Sequence, residues 1–514
     1  MPFTGPPLEQ PVSPTDILKS GLEKKPNDLA LMSLEQRWSW SELDQACARL
    51  AGNLLALGLK PGDRVASLMP NRCELVIHYL ACLRAGLVAT PLNYRYMAPE
   101  IDHALDIAEP SILLAHHERS RDLTLSKLAC RLPLGRVTYG GDGPGTTFHE
   151  LIRSEPPARE LLPPSADCPA VIFFTSGSTG APKGVTHSFE TLGWTIESFR
   201  TASMLSPKDA ILSGTSLSHG GAFKFALAGF AAGARVMVLR HLDSEPLLQL
   251  LRQSRPSVLH MLPSALLALI RDHGATMEDF SSVRSCVSVG DKASSELMRE
   301  FTDLTGLELR EGYGMTEVGG ISINGPLTDY RPGSVGKVFP GATVVLRDEN
   351  GSEAPVGQEG RLWVRSPSLM TGYWNNPAAS EATIQDGWLD SGDILRIDQD
   401  GYFWFRGRSK QIIVHDGSNI SPQEVESALL EHTTVAAAGV VGVHDPMHGE
   451  NVRAYIELRP GADQPSDQEL IRFARDRVGY KAPEEIRVLE AIPYTATGKV
   501  DRTALKRLAS QEKG

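Results

Sequence analysis

Short apolar runs alternate with helix-period stretches along much of the chain, and this alternation constrains the fold more than any other feature. VASLM (65–69), the helical stretch ELVIHYLACLRAG (74–86) and VATPL (88–92) read as one β-α-β unit. Further units follow: RVMVL, a helix from about Glu245, SVLHML, a helix from about Ser264, and VRSCVSVG ahead of another helix. Parallel strands need crossover connections, and helices serve as those crossovers while covering the sheet faces. The pattern therefore predicts an α/β fold with mostly parallel, helix-covered sheets. Ser41 with Asp44 reads as a capping box, with Leu43, Cys47, Leu50, Leu54 and Leu55 at helical spacing behind it and Gly58 closing the helix.

Past about Arg331 the texture changes to short strands with turn signals, as in VVLRDENGSEAPVGQEGRLWVRS, which predicts a small antiparallel β segment. From Arg408 a compact α+β pattern begins: SPQEVESALLEH and DQELIRFARDRV as helices, VAAAGVVGV and NVRAYIEL as strands. The expected organisation is a large N-terminal domain over residues 1–407 and a small C-terminal domain over 408–514. The 514 residues are enough for two or three domains.

A net charge of -11, from 51 Lys plus Arg against 62 Asp plus Glu, argues against a general binder of nucleic acid or anionic membrane. Cys47, Cys73, Cys82, Cys130, Cys168 and Cys286 show no CxxC spacing, so neither a zinc site nor a disulfide framework is suggested. The N-terminal MPFTGPPLEQPVSP lacks the basic and apolar blocks of a signal peptide, and no apolar run is long enough to span a bilayer. A soluble, cytoplasmic protein without integral membrane association is expected, as a monomer or a dimer.

The stretch FFTSGSTGAPKGVTHS (173–188) carries the chemistry. AVIFF before it reads as a strand, and Phe189, Leu192, Ile196 and Phe199 after it share a helix face. Strand, glycine loop and helix form a phosphate-holding arrangement. Glycines let successive backbone N–H groups turn toward one anion, Thr175, Ser176, Ser178 and Thr179 add hydroxyl donors, and Lys183 adds a mobile positive charge. The order departs from a Walker A loop, because Pro182 precedes Lys183 and Gly184 follows it.

TSGSTGAPKG resembles the signature of the adenylate-forming superfamily of acyl- and aryl-CoA synthetases, peptide-synthetase adenylation domains and luciferases. LSHGGAF from Leu217, REGYGMTE from Arg310, SGDI from Ser391, FRGRSKQIIVHDGSNISPQEVE from Phe405 and PYTATGKVDR from Pro493 follow in the family's order, covering residues from about 15 to 508.

The resemblance implies attack of a substrate carboxylate on the α-phosphate of ATP, giving an acyl-adenylate and pyrophosphate, then transfer of the acyl group. It implies that Thr175, Ser176, Gly177, Ser178, Thr179, Gly180 and Lys183 hold phosphates. Tyr313 and Gly314 would lie against adenine, with Gly290, Asp291 and Lys292 on its other face, where many relatives carry smaller residues than this Asp and Lys. Thr316 would meet phosphate and Glu317 would ligate Mg2+. Asp393 would accept from the ribose hydroxyls, and Arg408 would reach the ribose or phosphates. Lys410 matches the hinge about which relatives turn the small domain between two poses. Lys499 matches the lysine inserted during adenylation. In the second pose Gly417 to Asn419 would line the thiol's approach.

His219 matches a gate position beside the acyl site and is expected to position substrate. Gly220, Gly221, Ala222, Gly319 and Gly320 leave room for a bulky or aromatic acid, whereas Lys224 and Lys292 suit a second polar group on it. Both readings stay open. The resemblance points to an acid-CoA ligase using ATP, Mg2+ and coenzyme A on a small-molecule carboxylic acid. A stand-alone adenylation enzyme that serves a carrier-protein thiol or an amine is the alternative.

Overall fold

The computed structural model describes all residues except 1, 142–145, 159–160, 177–181, 241–243, 291–292, 294, 349, 409–412, 421, 494–499 and 512–514. For residues 176, 244, 295–296, 406–408, 419, 423, 427 and 503 it describes the backbone alone.

Two large sheets dominate the N-terminal part. In one, Val88–Pro91, Arg64–Leu68, Ile112–His116 and Arg136–Tyr139 run parallel, and Pro169–Ser176 joins them in parallel beside Val88–Pro91. In the other, Leu29–Met32, Arg235–Met237, Ala210–Gly214, Val258–Met261, Ser285–Ser288 and Leu309–Met315 form the parallel series. The alternation seen in the sequence corresponds to these strands; the central ones are buried on both faces and accordingly apolar, whereas Arg136–Tyr139 and Leu309–Met315 are only partly buried.

Helices Cys73–Arg84, Phe189–Ala202 and Gly220–Ala231 are buried along most of their length, and residues of all three join strand residues of both sheets in one core. GGAFKFALAGFA is apolar all round except for Lys224, which is what a helix enclosed between two layers requires.

The segment after Arg331 forms the expected antiparallel sheet, with Thr343–Arg347, Glu359–Arg365, Trp388–Ile397 and Phe403–Arg408 in succession. From Ile413 onward the strands belong to a separate sheet: Ile413–His415, Ser418–Ile420, Val435–Asp445, Gly449–Leu458 and Glu485–Leu489. Helices Pro422–Leu430 and Asp467–Val478 supply residues to its own core.

Two local expectations are corrected. The first long helix spans Trp40–Ala56 and is capped by Ser39 with Glu42, not by Ser41 with Asp44: Ser39 Oγ accepts from the Glu42 amide at 3.2 Å, and Glu42 Oε2 accepts from the Ser39 amide at 2.8 Å. The glycine-rich loop is not followed directly by a helix. Pro182–Ser188 is a strand antiparallel to Pro169–Ser176, and the helix starts only at Phe189. The loop thus joins two strands of a hairpin, and the N-terminus of the helix lies a whole strand further along the chain.

Candidate active site

That hairpin sets the first part of the site. Thr175 pairs with Lys183 across the ladder. Side chains alternate along a strand, so Lys183, Val185 and His187 share one face. Strand Gly372–Tyr373 pairs with Val185 and Thr186, bringing Tyr373 beside them. Lys183 Nζ lies 4.7 Å above the Tyr373 ring, and the Tyr373 hydroxyl donates to Glu317 Oε1 at 3.0 Å. The lysine of the loop motif and the glutamate of GYGMTE, distant in sequence, are thus linked through one tyrosine.

Thr316 and Glu317 sit where strand Leu309–Met315 turns back into Gly319–Ile323. Glu317 is buried. The Thr316 carbonyl is gripped from behind by Lys224 Nζ at 2.9 Å and His187 Nε2 at 2.8 Å, while Lys224 and His187 lie 2.9 Å apart. Burial pulls the Lys224 ammonium down to about 7, with Glu317 acting in the opposite direction. Burial, then Lys224, pushes His187 well below the usual histidine range, so its ring is neutral. The buried pair Lys224 and His187 fixes the turn that carries Thr316.

On the adjoining side the Tyr313 hydroxyl donates to Asp393 Oδ2 at 2.5 Å. Asp393, buried, faces Arg408 in the backbone register of the antiparallel sheet. His219 precedes helix Gly220–Ala231, and burial and Arg95 push it down to about 4.

Thr175, Lys183, His219, Lys224, Tyr313, Thr316, Glu317, Tyr373 and Asp393 line one cavity of about 880 Å³, together with Gly290, Gly314 and, from the C-terminal part, Asp416, Gly417, Ser418, Tyr480 and Lys481. The approach is close. Gly290 and Gly417 both have positive φ, 85° and 69°, and a Cβ added at Gly290 would lie 2.9 Å from Leu262 Cδ2 and 3.3 Å from Gly417 Cα. Neither position has room for a side chain.

Gly177, Ser178, Thr179, Gly180, Asp291, Lys292, Lys410 and Lys499 lie outside the described residues, and Ser176 and Arg408 are described in backbone only. Among the described residues, the structure adds His187 and Tyr373, which motif reading did not single out. The signal for His187 was its period-two spacing from Lys183, hidden when the segment is taken as the approach to a helix.

Residues 18–374 match the AMP-binding enzyme family, and residues 424–499 match the AMP-binding enzyme C-terminal domain. The chain belongs to the AMP-binding enzyme family. This AMP-binding enzyme is 32% identical over 476 residues to a feruloyl-CoA synthase of an Amycolatopsis species, covering 91% of this chain and 93% of that one. Among solved structures it resembles the amide bond synthetase McbA of Marinactinospora thermotolerans, with TM-score 0.87, 27% identity and coverage of 97% and 99%. It also resembles the o-succinylbenzoate CoA synthetase of Bacillus subtilis bound with a product analogue, a double mutant, with TM-score 0.84, 27% identity and coverage of 97% and 99%. The likeness to an amide bond synthetase and to a CoA synthetase thus extends over 97% of this chain. Among its described residues no helix is long and apolar enough to cross a membrane.

Proposed function

We propose that this chain, an AMP-forming acid-CoA ligase, acts on an aromatic or arylacrylic acid and is arranged here for thioester formation. The observation that carries the proposal is the single cavity in which the Lys183, Glu317 and Tyr313–Asp393 groups meet the Gly417 turn of the C-terminal part.

In the first half-reaction a carboxylate oxygen bonds to the α-phosphorus of ATP while the bond to the pyrophosphate leaving group breaks. Negative charge gathers on the phosphates, and preorganised positive groups in a site shielded from water lower that cost most. Lys183 supplies such charge, and Lys499 is proposed to do so from the C-terminal part. Asp393, held by Tyr313, suits a diol of the nucleoside. One oxygen of buried Glu317 is occupied by Tyr373, and the residue lines the cavity, so its carboxylate would fit as a hard-oxygen ligand for Mg2+. Bound there, Mg2+ would supply charge neutralisation.

In the second half-reaction the thiolate of coenzyme A attacks the acyl carbon and AMP leaves. Gly417 against Gly290 suits a pose in which the C-terminal part lines the thiol's path, with Lys410 as the proposed hinge. The acid is proposed to lie among Phe199, Gly221, Gly320, Ile323 and Phe339, with His219 positioning its carboxylate; these residues line the cavity and combine aromatic walls with small ones. The likeness to a feruloyl-CoA synthase supports this class of acid.

The test is acid-dependent pyrophosphate release over aromatic, arylacrylic and aliphatic acids, with coenzyme A or amines as acceptor and the products identified by mass. Turnover on aromatic acids only with coenzyme A is expected. Amide products without thioester would replace this reading with the one suggested by the likeness to McbA.

A further inference from the structure

Two turns of the C-terminal part bring two imidazoles and the Asp416 carboxylate together, with Glu484 beside them, at the C-terminal side of the cavity that Asp416 and His448 help to line. His415 ends strand Ile413–His415 and pairs with Gly449, at the start of the neighbouring strand. The Asp416 amide donates to the His448 carbonyl at 3.1 Å, tying the turn after His415 to the turn before Gly449. Asp416 holds a φ of 47°, a left-handed conformation that Asp tolerates better than most residues. The His415 and His448 rings stack with centroids 5.1 Å apart.

The protons of His415 follow from its partners. Nδ1 lies 2.8 Å from the Glu450 carbonyl, which can only accept, so Nδ1 carries the hydrogen. In the neutral ring Nε2 then presents a lone pair, and it faces Glu484 Oε1 at 3.5 Å and Asp416 Oδ2 at 3.8 Å. A lone pair aimed at two carboxylates is repulsive unless a positive charge lies between them, either a proton or a metal ion. His448 Nδ1 is hydrogen-bonded to Asp416 Oδ1 at 2.9 Å and becomes a second nitrogen ligand when a metal ion takes the place of its proton.

Ligand atoms of His415, Asp416 and His448 all fall within 4.8 Å of one another. Nitrogen and oxygen ligands about 2.0–2.1 Å from a tetrahedral ion lie roughly 3.3 Å apart; His448 Nδ1 is 2.9 Å from Asp416 Oδ1 and His415 Nε2 is 3.8 Å from Asp416 Oδ2, so each oxygen of the carboxylate lies near that spacing from one imidazole. The His415 Nδ1–H bond to a carbonyl is also the outer contact that orients a metal-binding histidine.

We propose that His415, Asp416 and His448, with Glu484 in reach, form a site for a divalent ion of the zinc class. Two imidazoles with carboxylates select zinc, cobalt or nickel over magnesium, which takes oxygen ligands. The ion clips together the two turns, one of which carries Gly417 against Gly290. It is separate from the Mg2+ proposed at Glu317, and it does not depend on the identity of the acid.

The test uses tag-free full-length protein, stripped with a chelator and dialysed, titrated with Zn2+ by calorimetry and with Co2+ by visible absorption. With 14 histidines in the chain, variants must assign the site. His448→Ala, at a half-exposed position, and Asp416→Asn are compared after circular dichroism confirms folding. One saturable site with cobalt ligand-field bands in the wild type, weakened at least about tenfold in both variants, is expected. Absence of saturable binding in the wild type, or equal binding by folded variants, overturns the proposal and leaves a proton as the charge at His415.

Discussion

Lys481 Nζ lies 2.8 Å from Glu100 Oε1, joining the C-terminal part to helix Ala98–Ala108 of the N-terminal part, and it also reaches Glu424 Oε1 at 2.7 Å. Lys481 is 1% exposed and Glu100 8%. Burial works against the Lys481 charge, but Glu100 and Glu424 outweigh it and raise the pKa. Tyr480 strengthens the junction by accepting from Asn93 Nδ2 at 3.1 Å.

Removing Lys481 leaves buried Glu100 and partly buried Glu424 without their shared cation, a loss of about 3 kcal/mol for this docked arrangement. Lys481→Met is therefore expected to slow transfer from a preformed acyl-adenylate to coenzyme A while sparing pyrophosphate release. Lys499→Ala is expected to do the reverse. Single-turnover assays of each half-reaction check both, and equal loss of the two steps in either variant contradicts the assignment.

Lys224 predicts a pH dependence of stability. Its folded-state pKa of about 7 lies below the ordinary lysine value of 10.5, so between these values the unfolded chain binds more protons. Stability should rise with pH across that interval, by about 1.4 kcal/mol per unit from this group, and should be lowest below it. Denaturant midpoints at several pH values for wild type and Lys224→Met test this. Parallel pH profiles would remove Lys224 as the cause.

Glu317→Gln keeps the shape of the side chain and its contact with Tyr373 but removes the charge. Pyrophosphate release should fall by roughly 10²–10³-fold and require more Mg2+, and chelating Mg2+ should abolish release by the wild type. Unaltered Mg2+ dependence in the variant would place the ion elsewhere.

A Cβ built at Gly221 meets nothing within 4 Å, whereas one at Gly320 would lie 2.6 Å from the Phe339 ring. Gly221→Val should therefore fold normally and fill the acid pocket. kcat/KM for a bulky aromatic acid should fall by about 10–200-fold relative to a small acid. An unchanged ratio would move the acid away from Gly221.

Much of this was legible in the sequence where one residue type dictates one local state. The helix Asp467–Val478 was read at its observed bounds because Ser466 caps its start and positive-φ Gly479 ends it. Ser39 with Glu42 and Ser41 with Asp44 lie two residues apart, and the longer Glu42 side chain, which reaches back to the Ser39 amide, makes the reciprocal box. The β-branched pair Val185 and Thr186 signals a strand after the glycine loop, but the helical face beginning at Phe189 masked it. The contacts of Lys224 with Thr316 and of Tyr373 with Glu317 span 92 and 56 residues, and spacing along a chain carries no information about such meetings.

The most direct measurement is a single-turnover reaction of enzyme, ATP, Mg2+ and an aromatic acid, quenched with and without coenzyme A, with products identified by mass. The account predicts enzyme-bound acyl-adenylate without coenzyme A, converted to acyl-CoA and AMP in equal amounts once it is added. Acyl-adenylate that persists while coenzyme A stays unacylated would contradict it.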